Sequence, residues 1–220
     1  LWLLGADELE LRRPDADWGR PNLEQNMFAF AMSWQLCPRC IEENHQLLGF
    51  SYWHRAHQLP SITHCLKHGS PLVTHADLIR LDRLVLPMKY LGLQLKPVRS
   101  VEALSGWSYF VGIIDQLIEK DPLLPALWRK SVREVLALPT PIRQKHRGMI
   151  RELSQQMEQD VGEALLAHLF RAWREQRTRR PDILWSTLSG VNPQKSIRHP
   201  VYWLLILYWL RNKLPRLKDI

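Results

Sequence analysis

Cys37-Pro38-Arg39-Cys40 and Cys65-Leu66-Lys67-His68 constrain this chain more than any other feature. Each pair of candidate ligands encloses two residues, a spacer of 24 residues separates the pairs, and together they use all three cysteines of the sequence. Zinc takes four ligands in a tetrahedron and accepts thiolate sulfur and imidazole nitrogen readily. Two ligands two residues apart reach one ion from a single tight turn, and a spacer that folds back brings a second such turn to close the shell. Pro38 favours a turn within the first pair, and Gly69 frees the backbone just after the second. The expectation is a structural Zn2+ held by Cys37, Cys40, Cys65 and His68. Four protein ligands leave no position for water, so the ion holds the fold and does not catalyse. Two alternatives compete. One is a redox C-x2-C, which does not need the C-x2-H partner; the other is three unrelated thiols beside a chance histidine. His45, His57 and His64 lie near enough in sequence to replace His68. His64 directly precedes Cys65 and its side chain tends to point away, so solvated or supporting roles are expected for these three.

Within the spacer, Tyr52, Trp53, Ala56 and Leu59 recur at roughly helical spacing before Pro60. This predicts a short amphipathic helix over 50–59 whose aromatic residues supply core to a small module.

At these residues the chain resembles the TniQ/TnsD family. Its signature is a CPxC pair, an aromatic-Trp-x-Arg-x-His-Gln-Leu-Pro stretch, then Cys-x-x-His-Gly. Here those elements are Cys37–Cys40, Tyr52–Pro60 and Cys65–Gly69. A weaker echo is Ser196–Leu210, similar to an Arg-His-Pro plus apolar-helix segment of TnsD-like members. The resemblance implies a target selector of a bacterial transposon, distinct from the transposase. Such a protein recognises an attachment site on double-stranded DNA, or docks on an RNA-guided CRISPR Cascade complex, and recruits an AAA+ ATPase. The family usually carries a helix-turn-helix region before the zinc finger. Only 36 residues precede it here, so 1–36 read as the tail of a preceding N-terminal helical region.

The remaining pattern is helical. Asn22 with Gln25 suggests a capped helix leading into Cys37, and Leu78, Leu81, Leu84 and Val85 share a face before Pro87. From Ser100 onward, Leu104, Trp107, Val111 and Ile114 form one apolar stripe. Further helices are predicted after Pro122, within 139–176, within 181–190 and over 198–210, and period-two stretches are scarce. The fold class expected is mainly α: a small zinc-binding module followed by helical bundles of helix-turn-helix type, with six to eight helices. The boundaries read as 1–36, 37–90 for the zinc module, 91–160 for a helical domain and 161–220 for a basic helical domain. The run Val201–Leu210 is about half the length of a membrane-spanning helix and reads as buried.

The net charge of +8 is uneven. Residues 161–220 carry eleven Lys/Arg against four Asp/Glu, and Arg171, Arg174, Arg177, Arg179 and Arg180 fall within eleven residues. With Lys195 and Arg198 they are the candidate DNA-binding set, because the planar guanidinium fork matches phosphate and each neutralised phosphate releases counterions. A helix through this run would carry Arg171, Arg174 and Arg177 along one flank. The competing reading is a solvated helix face. An enzyme reading lacks its parts: the zinc-deaminase signature, a carboxylate cluster for magnesium and a P-loop are all missing. An odd cysteine count fits a reducing, intracellular compartment, and the resemblance implies the bacterial cytoplasm.

Overall fold

A computed structural model describes residues 28–30, 34–75, 86–98, 104–178, 180–189 and 200–218. Among these the chain is mostly helical, with eight α-helices and one two-stranded sheet. The residues group into two units, one within Phe30–Asp115, the other within Gln116–Ile220 together with Phe28 and Ala29.

The first unit holds the cysteines. Helix α1 (Pro38–Leu48) opens on a proline, tolerated there because its missing N–H would have no helical partner, and Gly49 ends it with an amide bonded to His45 O at 2.9 Å. Strands β1 (Val73–Thr74) and β2 (Lys96–Pro97) pair antiparallel. Leu36 adds a bridge on the other side of β1, exchanging two backbone bonds with Val73 at 2.9 and 3.0 Å. Leu36 and Ile41 are buried with Tyr90, and Trp34 and Trp53 pack against them edge to face, with centroids 5.3 Å apart. Helix α2 (Ser105–Lys120) buries Trp107, Phe110, Val111 and Ile114. Its Gly112 accommodates Leu66: a Cβ there would lie 2.2 Å from Leu66 Cδ1. Trp107 Nε1 donates to Ser61 Oγ at 2.9 Å and Thr63 N to Ser108 Oγ at 3.0 Å, so the buried hydroxyls on this face of α2 are used.

The second unit is built on α3 (Leu124–Val135), α4 (Arg147–Val161), α5 (Glu163–Leu169), α6 (Arg171–Arg174), α7 (Ile183–Leu188) and α8 (Pro200–Leu210). Helix α8 is buried over Val201–Leu207, as its unbroken apolar run predicts, and α3, α4 and α7 pack on it. Tyr208 differs from the expected core position: it is half-buried beneath the Arg211 guanidinium, 4.2 Å from its ring centroid. Gly162, at φ 85° and ψ 152°, separates α4 from α5 in a conformation that a Cβ would strain. Asp182 caps α7 by accepting from Trp185 N at 3.0 Å, and Ser154 of α4 donates to the same carboxylate at 3.0 Å. Phe170 is extended between α5 and α6 and bridges Phe28, with rings of Phe28, Tyr202 and Trp173 at 5.9, 5.5 and 5.5 Å.

Three further expectations change. The spacer forms only a 3-10 turn, Arg55–Gln58, because Ser51–His54 are not helical and place Trp53 on the Leu36 cluster. Tyr52 is exposed and stacks on His54 at 4.5 Å instead of entering the core. Leading into Cys37, the described residues 28–30 and 34–36 are not helical; Phe28 and Leu36 make strand bridges. The capped helix start at Asn22 and the apolar face of Leu78–Val85 lie outside the described residues.

Phe170 has no exposed surface. Phe170→Ala is expected to lower stability by about 3–5 kcal/mol, read from the midpoint of denaturant unfolding at unchanged slope.

Candidate metal centre

Local backbone chemistry builds each half of the site. Cys37 is the N-cap of α1, at φ −107° and ψ 119°, so its sulfur sits at the positive end of the helix. One helical turn onward, Cys40 presents its sulfur on the same side. The second half is a tight loop: Cys65 N donates to Ser70 O and Gly69 N to Cys65 O, both at 2.8 Å. Gly69 takes φ 63°, the left-handed turn that brings the chain back toward Leu72, whose amide reaches Thr63 O at 2.9 Å. The Leu36–Val73 bridge then sets the two halves side by side. Gln58 supports the opposite edge: its Oε1 accepts from Gln35 N at 3.0 Å and its Nε2 donates to Gln35 O at 2.7 Å.

The donor atoms converge. All four lie within 4.8 Å of one another. His68 Nδ1 stands 3.4 Å from Cys37 Sγ, 3.3 Å from Cys40 Sγ and 3.7 Å from Cys65 Sγ, and Cys40 and Cys65 sulfurs are 3.6 Å apart. A tetrahedron with bonds of about 2.3 Å to sulfur and about 2.05 Å to nitrogen has edges of about 3.6 Å (S···N) and about 3.8 Å (S···S). Three S···N edges and the Cys40–Cys65 edge therefore lie close to those a zinc-sized ion requires. All three cysteines are free and buried. The redox reading gives no account of the imidazole, which lies within 3.7 Å of all three free thiols.

The far side of the imidazole carries a residue that ligand spacing did not reveal. Glu43, on α1 three residues after Cys40, accepts from His68 Nε2 at 2.8 Å and from Lys67 Nζ at 2.5 Å. With the proton held on Nε2, Nδ1 is left as the lone-pair donor, as in carboxylate–histidine–metal arrangements. Lys67, and then His68, hold the Glu43 carboxyl below its ordinary range. A carboxylate one helical turn from a ligand cysteine was the available signal.

The thiols divide the charge. Hydrogen bonding from Cys65, with smaller contributions from Ser70, the Cys40 amide and His68, draws Cys37 down to about 3. Burial, together with the Cys37 charge, pushes Cys40 up to about 11, and the hydrogen bond to Cys37 with burial raises Cys65. Three close, buried sulfurs hold one negative charge between them unless a cation is shared. The donor set and spacing fit a divalent ion bound by these four residues alone, with no position left for water. Of the other histidines, His45 is exposed, His64 bonds Thr63 Oγ1 at 2.9 Å, and His57 is buried with its ring 4.8 Å from that of His54.

The proposed DNA-binding arginines are placed less simply. Helix α6 ends at Arg174, so the expected helical flank does not extend to Arg177. Gln176 takes φ 50° and Arg177 N returns to Ala172 O at 2.8 Å, a left-handed cap that stops the helix. Arg171 Nε donates to Phe28 O at 3.0 Å, Arg174 Nε to Ala167 O at 3.3 Å and Arg177 Nε to Glu175 at 2.7 Å. Arg180 lies over the Trp173 ring at 5.4 Å and 4.0 Å from Glu158. Arg179, Lys195 and Arg198 lie outside the described residues.

This geometry defines a class: a small module folded around two turns that bring together three cysteines and one histidine able to hold a metal ion. Residues 4–72, roughly the first third of the chain, match the family model TniQ, and all four donors fall inside that span. Over this segment the chain is similar to the TniQ family. No curated protein and no solved structure matches the chain.

Cys65→Ser is expected to abolish stoichiometric metal binding and the cooperative unfolding of this unit. Glu43→Gln is expected to keep the fold but weaken metal affinity about 10–100-fold in competition with a chromophoric chelator. Burial lowers His57 from 6.5 to about 4. The unfolded chain binds the additional proton between those values, so stability is full above about pH 6.5. It declines by up to roughly 3 kcal/mol as pH falls toward 4. The His57→Gln variant is expected to show a shallower slope across that window in pH-dependent denaturant unfolding.

Proposed function

We propose that this chain is a DNA-binding target-selection protein of a bacterial transposon, which recognises an attachment site and recruits the AAA+ ATPase and transposase machinery. The observation that carries the reading is the TniQ match over 4–72 combined with the convergence of Cys37, Cys40, Cys65 and His68 inside it. Zn2+ is the proposed ion, with a structural role, since thiolate and imidazole donors suit it and the tetrahedron is filled by protein. On this reading the chain is not an enzyme and acts in the bacterial cytoplasm. Among the described residues no helix is long and apolar enough to cross a membrane.

The charge supports duplex DNA as a direct partner. The chain carries +8, concentrated in 161–220, where Arg171, Arg174, Arg177, Arg179, Arg180, Lys195 and Arg198 add attraction for phosphate. An adaptor that docked on a CRISPR Cascade complex with little direct DNA contact would not need this excess.

The salt dependence of duplex binding, followed by fluorescence anisotropy with a random-sequence duplex pool, separates the two. Engagement of four phosphates predicts a loss of affinity of about a hundredfold or more between 50 and 200 mM salt. Absence of binding, or a flat response to salt, would assign the chain to the adaptor role.

A further inference from the structure

The second unit carries a basic surface that the density of arginine in the sequence does not single out. Residues 143–151 hold Arg143, Lys145, Arg147 and Arg151 and no acidic residue. All four side chains are exposed, and among the described residues no carboxylate pairs with any of them. They are also held together. Arg143 and Lys145 belong to the turn that enters α4, where the Arg143 amide bonds His146 Nδ1 at 3.0 Å. Arg147 and Arg151 are four residues apart on α4, and so share one face about 6 Å apart along the axis. Arg147 lies over the Trp185 ring of α7, with 5.8 Å to its centroid, which restrains a side chain that would otherwise be mobile. The adjoining surface is open, since a Cβ added at Gly148 meets no atom within 4 Å.

The contrast with the arginine-dense segment decides the assignment. Arg171, Arg174 and Arg177 each donate a hydrogen bond to the protein itself, and Arg180 lies 4.0 Å from the Glu158 carboxylate. A guanidinium already committed to a carbonyl or a carboxylate gains less from a phosphate than one that has only water to lose.

We infer that the α4 entrance, through Arg143, Lys145, Arg147 and Arg151, is a surface that grips the sugar-phosphate backbone of duplex DNA. The inference rests on the DNA-binding reading above and specifies where the contact is made. Three of the four cations are arginines, whose fork matches a phosphate bidentately, and a surface of one sign suits the dense line charge of a duplex. An acidic protein partner would present sparser, mixed charge.

The test uses the full chain and a random-sequence duplex, with affinity measured across salt. Arg147→Gln/Arg151→Gln is expected to lower the log–log salt slope by about 1.8, two phosphates at about 0.9 each, and to weaken binding equally on unrelated sequences. Arg147→Lys/Arg151→Lys keeps most of the slope. Arg174→Gln/Arg177→Gln removes the same charge and is expected to change the slope by less than half as much. Equal thermal midpoints for the variants exclude misfolding. Salt-dependent binding that the α4 pair leaves unchanged overturns this surface while the DNA reading stands. Failure of the unmodified chain to bind duplex overturns both. Tighter binding of a polyglutamate probe than of duplex at the same salt assigns the surface to an acidic protein and also overturns the inference.

Discussion

Two backbone hydrogen bonds between Leu36 and Val73 hold the metal centre in register, and the unit within Phe30–Asp115 depends on them. Each candidate ligand pair is a local structure, one a helix N-terminus and one a tight loop. Neither half encloses an ion alone. The bridge places Cys37 directly after one partner of the pair and His68 shortly before the other, so four donors meet. The core available to this unit is modest, a cluster around Leu36, Ile41 and Tyr90 with α2 against the loop. A bound ion in isolated zinc modules contributes on the order of ten kcal/mol to folding, more than such a core supplies. Electrostatics points the same way, since three buried sulfurs within 4.8 Å of one another favour a shared cation over shared protons.

How much of this was legible follows from how local each determinant is. The ligand set was readable because two residues of separation imply a common bite whether the intervening backbone is helix or loop. Glu43 was not, since a carboxylate three residues past a cysteine matters only once α1 exists to turn it toward His68. Helix α8 could be read from an unbroken apolar run that only burial satisfies. The spacer was misread. Tyr52, Trp53, Ala56 and Leu59 have helical spacing, but Trp53 is required at the Leu36 cluster and Gln58 at the Gln35 backbone, and a non-helical segment followed by one 3-10 turn meets both demands. Tertiary contacts outweigh a weak periodicity over ten residues.

Charge shows the same distinction between counting and placement. The sequence locates positive residues, and the fold determines which of them remain uncommitted. Phe170 breaks the expected arginine-bearing helix because its backbone pairs with Phe28, a partner 142 residues away in the chain. Gln176 then stops it a second time. Arginines that look like a continuous stripe become separate fittings of the second unit, while a less crowded group at the start of α4 stays open to solvent. No composition window reports that difference, because it arises from hydrogen bonds to carbonyls.

The fit of Leu66 against Gly112 couples two positions that no ligand spacing connects. Leu66 lies inside the second ligand pair and Gly112 midway along α2, where the missing side chain leaves the hollow that the leucine fills. A methyl gained on the helix would therefore oblige the leucine to turn aside or give way to a smaller side chain, so the room inside the loop and the bareness of the helix are one shared dimension.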